Sequence, residues 1–491
     1  MNQINPNIFR AYDIRGTAEP TEKSPTPDLT PETAHLIGLG TGTYLQRKDG
    51  IKNMIVGRDN RTHGEALQKA FIKGILATGV NVTDIGLASS PMIYWATCFY
   101  KMDSGAEVTA SHNPKQDNGI KIVRKDAHSV ADQELQEILK LIQNNDFILA
   151  GQPGNIHPSG SATQPGELTT NPNVFDDYKN SIAQITKLAR PLKVVIDAGN
   201  GVTGKFAPEL FRAIGCEVTE LYCELDGTFP NHEANPEHAR NMVELGAKVR
   251  ELGADLGVGF DGDGDRLGVV DENGKFYSAE YIIMLLSRDL LQSHPNEKVI
   301  FDVKVSKNLI KDIEKHGGQP IMARTGHSFI EARIRLEKAT LAGEKSGHLF
   351  LGAKHFNYYG FDDGMFAACK VAEALSKLSQ TFSQTFADTP ELPNLPEYKL
   401  YCPDTEKFQV VEQLCAHFKQ NYDCLTIDGV RINFDADSWA VIRCSNTSPY
   451  LTVFAEAATP ARLEEIKEIL FTEIRKYPQV EFPQPQPAPA H

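Results

Sequence analysis

Along the first three quarters of the chain, short apolar, β-branched runs alternate with helix-length stretches, and the order repeats three times. The first copy reads NMIVGRD (53–59), GVNVTDIG (79–86) and GAEVTASHNP (105–114). The second reads LKVVIDAGNG (192–201), GCEVTELYCE (215–224) and GADLGVGFDGDGD (253–265). The third reads KVIFDVKVS (298–306), GGQPIMARTGH (317–327) and KATLAGEKSGH (338–348). Successive strands are roughly 20–30 residues apart, room for one crossover helix each. GEALQKAFIKGILATG (64–79), apolar at helical spacing and closed by glycine, is such a helix.

Three βαβ-like copies predict an α/β protein of three similar domains with mixed sheets. Boundaries are expected at 1–158, 172–277 and 278–388, with the polar stretch 151–173 as the first linker. The last quarter changes character after ADTPELPNLPEYKL (387–400). Strands WAVIRCS (439–445) and YLTVFAEA (450–457) and the helical run ARLEEIKEILFTEIRKY predict a smaller α+β domain over 389–478. Residues 479–491 are proline-rich and expected to be disordered. The third strand of each repeat ends in ASHNP, DGDGD or GEKSGH. Ligands bind beyond the carboxyl ends of strands in open α/β sheets, so these loops are expected to share a central cleft.

Charge narrows the function. A net charge of −14 over 491 residues excludes nucleic acid as the main partner but not a small anion in a locally basic pocket. No apolar run approaches a membrane span, and no basic region followed by an apolar run opens the chain. Eight scattered cysteines without a C-x-x-C pair fit reduced thiols, so a cytoplasmic location is expected.

GVGFDGDGDRLGVV (257–270) sets Asp261, Asp263 and Asp265 between apolar flanks. Buried like charges this close repel and require a counter-charge. A calcium EF-hand loop would need glycine at its sixth position, where Arg266 stands, and flanking helices instead of strands. A solvated turn is the plain alternative, but the apolar shoulders disfavour it. A hard-cation site remains, with three carboxylates converging on Mg²⁺.

GNGVTGK (199–205) matches both G-x-G-x-x-G and G-x-x-x-x-G-K. The P-loop pattern then needs Ser or Thr, and Phe206 follows; a dinucleotide site would face Asp197. A tight strand-to-helix turn is the better account, although a nicotinamide oxidoreductase stands as a rival.

Ser111 lies at a strand end after small Thr109 and Ala110, with His112, Asn113 and Pro114 behind. No G-x-S-x-G elbow supports a hydrolase triad. A serine next to a hard cation suggests phosphoryl transfer instead. RCSNTSP (443–449) offers Arg443 and hydroxyls suited to a phosphate dianion. GEKSGH (343–348) offers Glu344 and His348 around Ser346, suited to sugar hydroxyls. Each loop alone could be an ordinary polar turn; together they point to one site.

FRAYDIRG (9–16), TASHNP, DGDGDR, GEKSGH and RCSNTSP, in that order, resemble the motifs of the α-D-phosphohexomutase family, notably its bacterial phosphomannomutase/phosphoglucomutase members. The likeness spans nearly the whole chain apart from the tail. It implies four domains around a central cleft and a phosphoserine at Ser111. It also implies one Mg²⁺ held by Asp261, Asp263, Asp265 and an oxygen on Ser111. Hexose 1- and 6-phosphates would interconvert through a 1,6-bisphosphate, with glucose 1,6-bisphosphate as activator or intermediate. Arg15, His112, Lys121 and Arg266 would lie near the transferred group, with Lys121 and His327 as acid/base or charge-stabilising candidates. Lys304 would line the cleft, and Glu344, Ser346 and His348 would meet the sugar. Arg443, Ser445, Asn446 and Thr447 would clamp the distal phosphate, helped by Tyr12. A monomer or weak homo-oligomer acting on hexose phosphates is expected.

One residue departs from the pattern. Lys345 stands between Glu344 and Ser346, where dual-specificity mannose/glucose members usually carry methionine. It either points outward or marks another preferred sugar, such as glucosamine phosphate. A sugar-phosphate binding protein without catalysis is the other rival.

Overall fold

The computed structural model describes residues 4–22, 24–151, 164–445 and 448–482. The linker residues 152–163, Asn446, Thr447 and residues 483–491 of the tail lie outside them.

Four sheets carry the chain. The first is built from β1 (Ile14–Thr17), β2 (Asn53–Arg58), β3 (Asn81–Leu87), β4 (Ser104–Val108), β5 (Asp117–Arg124), β6 (His128–Ser129) and β7 (Leu168–Thr170). Its order is β1-β5-β4-β2-β3-β7, with β6 paired to β5. The β3-β2-β4 centre is parallel, and β5 returns antiparallel on β4. The sheet is therefore mixed, and the TASHNP loop is the turn between β4 and β5.

The next two sheets repeat that plan. In the second, β8 (Lys193–Asp197), β9 (Glu217–Leu221) and β10 (Leu256–Phe260) are parallel. Strand β11 (Leu267–Val270) turns back antiparallel on β10, and β12 (Phe276–Tyr277) closes the edge. In the third, β13 (Lys298–Asp302), β14 (Gln319–Ala323) and β15 (Leu341–Gly343) are parallel, and β16 (Leu349–Leu351) is antiparallel. In all three, a parallel strand runs into a chemically rich loop and a hairpin return. That return fixes the loop from both sides.

The fourth sheet is antiparallel throughout, ordered β17 (Tyr398–Tyr401), β21 (Tyr450–Glu456), β20 (Trp439–Cys444), β19 (Val430–Asn433) and β18 (Asp423–Leu425). The helices Lys407–Phe418 and Pro460–Ile474 bury Leu414, Phe418, Ile466 and Leu470 against it. The start of the tail departs from expectation. Glu481 bridges to Tyr401, and the Phe482 ring lies 5.2 Å from that of Phe471, so the described start of the tail packs onto the fourth domain.

The GNGVTGK segment is a turn leading into the helix Thr203–Ala213. The Asp197 carboxylate accepts the Gly199 N–H at 2.8 Å and faces His232 at 3.1 Å. A carboxylate thus occupies the position where a dinucleotide pyrophosphate would need positive potential. Among the described residues no helix is long and apolar enough to cross a membrane.

Candidate active site

Ser111 sits in the β4–β5 turn with φ +52, a left-handed conformation that a non-glycine residue adopts only when its surroundings hold it there. Those surroundings are buried and ionic. Arg61 donates from Nη2 to the carbonyls of Ser111 and Asn113, both at 2.7 Å. From Nη1 it reaches Pro114 at 2.8 Å and Asp117 at 3.0 Å. Asp59 pairs with the Arg61 guanidinium at 3.2 Å and accepts the Thr109 hydroxyl at 2.7 Å. Four carbonyls of one turn therefore converge on a single guanidinium.

The acidic loop meets that turn directly. The Ser111 hydroxyl donates to Asp261 Oδ2 at 2.7 Å and lies 3.0 Å from His112 Nδ1. Gly262 explains the closeness: a Cβ there would lie 2.4 Å from the Ser111 carbonyl oxygen. The three carboxylates are fully buried or nearly so, and one oxygen from each lies within 4.8 Å of the others. Lys121 supplies one counter-charge, donating to Asp263 at 2.6 Å and Asp265 at 2.5 Å. Asp263 Oδ1 and Asp265 Oδ1 remain buried acceptors without a hydrogen-bond partner. An all-oxygen set with unsatisfied, converging acceptors fits a hard divalent cation.

The protonation pattern follows from this crowding. Burial and the charges of Asp265 and Asp263 push Asp261 well above the usual carboxylate range. Burial also opposes ionisation of Asp265, but Lys121, His348 and Arg266 outweigh it and hold Asp265 well below that range. Lys121 is buried, yet Asp263 and Asp265 keep it firmly protonated. Burial, with Arg266 and Arg15 nearby, pushes His112 well below its ordinary value. Burial also takes His327 down to about 4.

The other expected residues lie around this centre. Arg15 pairs with Asp13 at 2.6 Å and donates to Asn113 Oδ1 at 2.8 Å and the Ala110 carbonyl at 3.2 Å, bracing the serine turn from its other side. Arg266 donates from Nε to His348 Nε2 at 3.1 Å. The His348 Nδ1 lies 2.8 Å from Asp362. Arg266 also bridges to His348 through the backbone, and the Leu267 N–H donates to Gly347, so the sugar-motif loop is stitched to the acidic loop. Glu344 accepts the Gly326 N–H at 2.6 Å, and burial raises its carboxyl to about 7. Tyr12 packs against His327 at 5.1 Å, and His327 lies 5.8 Å from His348. Lys304 pairs with Glu397 at 3.3 Å, across to the last domain. Arg443 is held by Asp428 at 2.7 Å, and Asp428 also accepts the Thr325 N–H at 3.1 Å. Ser346 is half-buried in the sugar-motif loop, and Ser445 follows the last residue of β20. Asn446 and Thr447 lie outside the described residues.

Sequence reasoning missed the scaffold. Asp59 and Arg61 lie in GRDNRTHG, a segment that reads only as a polar turn. The Ser90 hydroxyl donates to Asp263 at 2.7 Å and also contacts the Glu107 carboxyl, and the Ser90 N–H reaches the Asp263 carbonyl. Asp362 carries no motif. The available signal was a charged pair directly at the end of β2, at the same sheet edge as Ser111. A cavity of about 250 Å³ opens beside the turn, lined by Arg61, Ser111, His112 and Phe229 among others.

Known proteins agree with this architecture. Four phosphoglucomutase/phosphomannomutase domain models match: alpha/beta/alpha domains I, II and III at residues 6–149, 175–274 and 278–392, and the C-terminal domain at 397–473. The chain is 39% identical to a phosphomannomutase/phosphoglucomutase of Pseudomonas putida over 97% of each chain. It is 36% identical to a phosphoglucomutase of Neisseria meningitidis, over 98% of this chain and 100% of that one. A phosphoglucomutase/phosphomannomutase family protein from Burkholderia thailandensis superposes with a TM-score of 0.86 at 33% identity, covering 98% of this chain and all of the other. The chain belongs to the phosphoglucomutase/phosphomannomutase family.

Proposed function

We propose that this protein is a phosphohexomutase that interconverts the 1- and 6-phosphates of glucose and mannose, with Ser111 carrying the phosphoryl group. One observation above all supports this reading: the Ser111 hydroxyl stands 2.7 Å from Asp261, inside a buried carboxylate cluster with unsatisfied acceptors. A lone hydroxyl is a weak nucleophile, and a cluster of this kind has value only with a cation beside it.

In the forward half-reaction a hexose phosphate hydroxyl attacks the phosphorus on Ser111. The new O–P bond forms as the bond to Ser111 Oγ breaks, and the proton lost by the attacking hydroxyl is made good on Ser111 Oγ, with Lys121 and His327 the candidates for relaying it. The 1,6-bisphosphate reorients, and its other phosphoryl group returns to Ser111 Oγ. Lys121, Arg15 and Arg266 offset charge on the transferred group. Glu344, Ser346 and His348 orient the sugar, while Arg443, Ser445, Asn446 and Thr447 hold the distal phosphate, with Tyr12 and Lys304 at the rim. Mg²⁺ on Asp261, Asp263 and Asp265 would supply positive charge next to the serine oxygen. Glucose 1,6-bisphosphate serves as the priming intermediate. The protein works in the cytoplasm on small sugar phosphates, as a monomer or weak homo-oligomer.

A coupled assay with glucose 1-phosphate, mannose 1-phosphate and glucosamine 6-phosphate tests this. Turnover of the first two, well above the third, is expected. Protein phosphorylated on Ser111 that turns over none of them would overturn the proposal.

A further inference from the structure

The Lys345 side chain leaves the sugar-motif loop and enters the contact between the third and fourth sheets. Its backbone N–H is fixed by Asp302 at 3.1 Å. Its ammonium lies 3.2 Å from Glu280 at the start of the helix Ala279–Ser293, and 4.1 Å from the centre of the Phe454 ring on β21. Glu280 and Phe454 are both buried, and Glu280 Oε2 has no hydrogen-bond partner. A second buried carboxylate, Glu456, lies two residues along β21 from Phe454. It accepts the Ser306 hydroxyl at 2.8 Å and the Trp439 indole N–H at 2.9 Å. Burial opposes ionisation of both carboxylates; Lys345 and local hydrogen bonds outweigh it at Glu280, which is held below the usual carboxylate range, while Glu456 stays above that range. One ammonium therefore meets an acid of the third domain and an aromatic ring of the fourth. Beside it, Arg431 of β19 donates to the Val303 and Val305 carbonyls and stacks 3.5 Å from the Trp439 ring.

We infer that Lys345 is a positioning residue that ties the sugar-motif loop to the phosphate-clamp domain, and does not read the sugar. The inference rests on the mutase reading for its kinetic consequence only. Without the ammonium, Glu280 keeps a buried charge with no counter-charge at this contact and the Phe454 ring loses its cation, which favours separation of the two domains. Substrate bridging both domains must then close them first, so apparent affinity falls by a common factor whatever the sugar.

The test uses Lys345→Met, Glu280→Gln and the double variant in the full-length protein. For Lys345→Met we expect KM for glucose 1-phosphate and mannose 1-phosphate to rise together, by about 5–20-fold, with kcat altered far less. The ratio of kcat/KM between the sugars should stay within about twofold. Adding Glu280→Gln should recover most of the lost KM, a rescue that simple loss of packing would not give. Small-angle scattering without substrate should show a larger radius of gyration for Lys345→Met than for the wild type, and a return in the double variant. An unchanged KM and radius would overturn the tie. So would a sugar ratio that moves more than about fivefold, which would make Lys345 a sugar-reading residue. If the wild type turns over neither sugar, the mutase reading fails, and scattering still decides the tie.

Discussion

Arg61 Nη2 lies 2.7 Å from the carbonyl oxygen of Ser111, so a buried guanidinium grips the backbone of the residue whose hydroxyl faces the acidic cluster. The left-handed φ of Ser111 costs on the order of 1–3 kcal/mol, and this grip is one interaction that offsets it. Arg61→Lys keeps the charge but cannot span four carbonyls with one ammonium. Mutase activity is expected to fall by about 10–100-fold, with a loss of roughly 2–4 kcal/mol in denaturant unfolding. Wild-type activity in this variant would show that the turn holds itself.

Gly262→Ala tests the approach of the two loops. The added methyl would sit 2.4 Å from the Ser111 carbonyl, so the turn must retreat from the cluster. The expected overpacking is modest for stability, about 1–3 kcal/mol, but a displaced serine should lower kcat by about 100-fold. Steady-state kinetics beside thermal unfolding separates the two effects.

Chelation separates chemistry from folding. EDTA should abolish turnover, and added Mg²⁺ should restore it. The unfolding midpoint should move by less than about 5 °C, because Lys121 already neutralises part of the cluster. Lys121→Met should reverse this order and make the fold itself depend on the metal, since removing one partner of a buried pair costs roughly 3–5 kcal/mol.

Glu331 gives a pH signature away from the cluster. It accepts the Ser129 hydroxyl at 3.1 Å between the first and third domains, and burial raises its carboxyl to about 8. Its folded value lies above the unfolded one, so the folded state holds the extra proton. Stability should therefore fall as pH rises from about 4.5 to 8. Glu331→Gln should remove this dependence and gain on the order of 2–4 kcal/mol at pH 8 relative to pH 5, read by urea unfolding. A variant with the wild-type slope would assign the dependence elsewhere.

Much of this was legible in the sequence, because strand period and glycine-bounded loops are local signals. The runs VVID and VIFD are buried parallel strands, and TASHNP, DGDGDR and GEKSGH fall at the corresponding strand ends. The hairpin returns that make the sheets mixed were also short local runs, such as LGVV. What stayed hidden depends on pairing across long separations. Arg61 acts on a turn 50 residues away, and Asp362 meets His348 only through the β16 hairpin and its following loop. Lys345 was visible as a departure, but its direction is set by Glu280 and Phe454, 65 and 109 positions distant in the numbering. Nothing local encodes it.

The central claim is that Ser111 itself carries the phosphoryl group. Intact-mass measurement of the purified protein after incubation with glucose 1,6-bisphosphate tests it most directly. A single phosphate-sized increment is expected on the wild type, discharged by glucose 1-phosphate and absent from Ser111→Ala. An increment that persists in Ser111→Ala, together with retained turnover, would contradict the account.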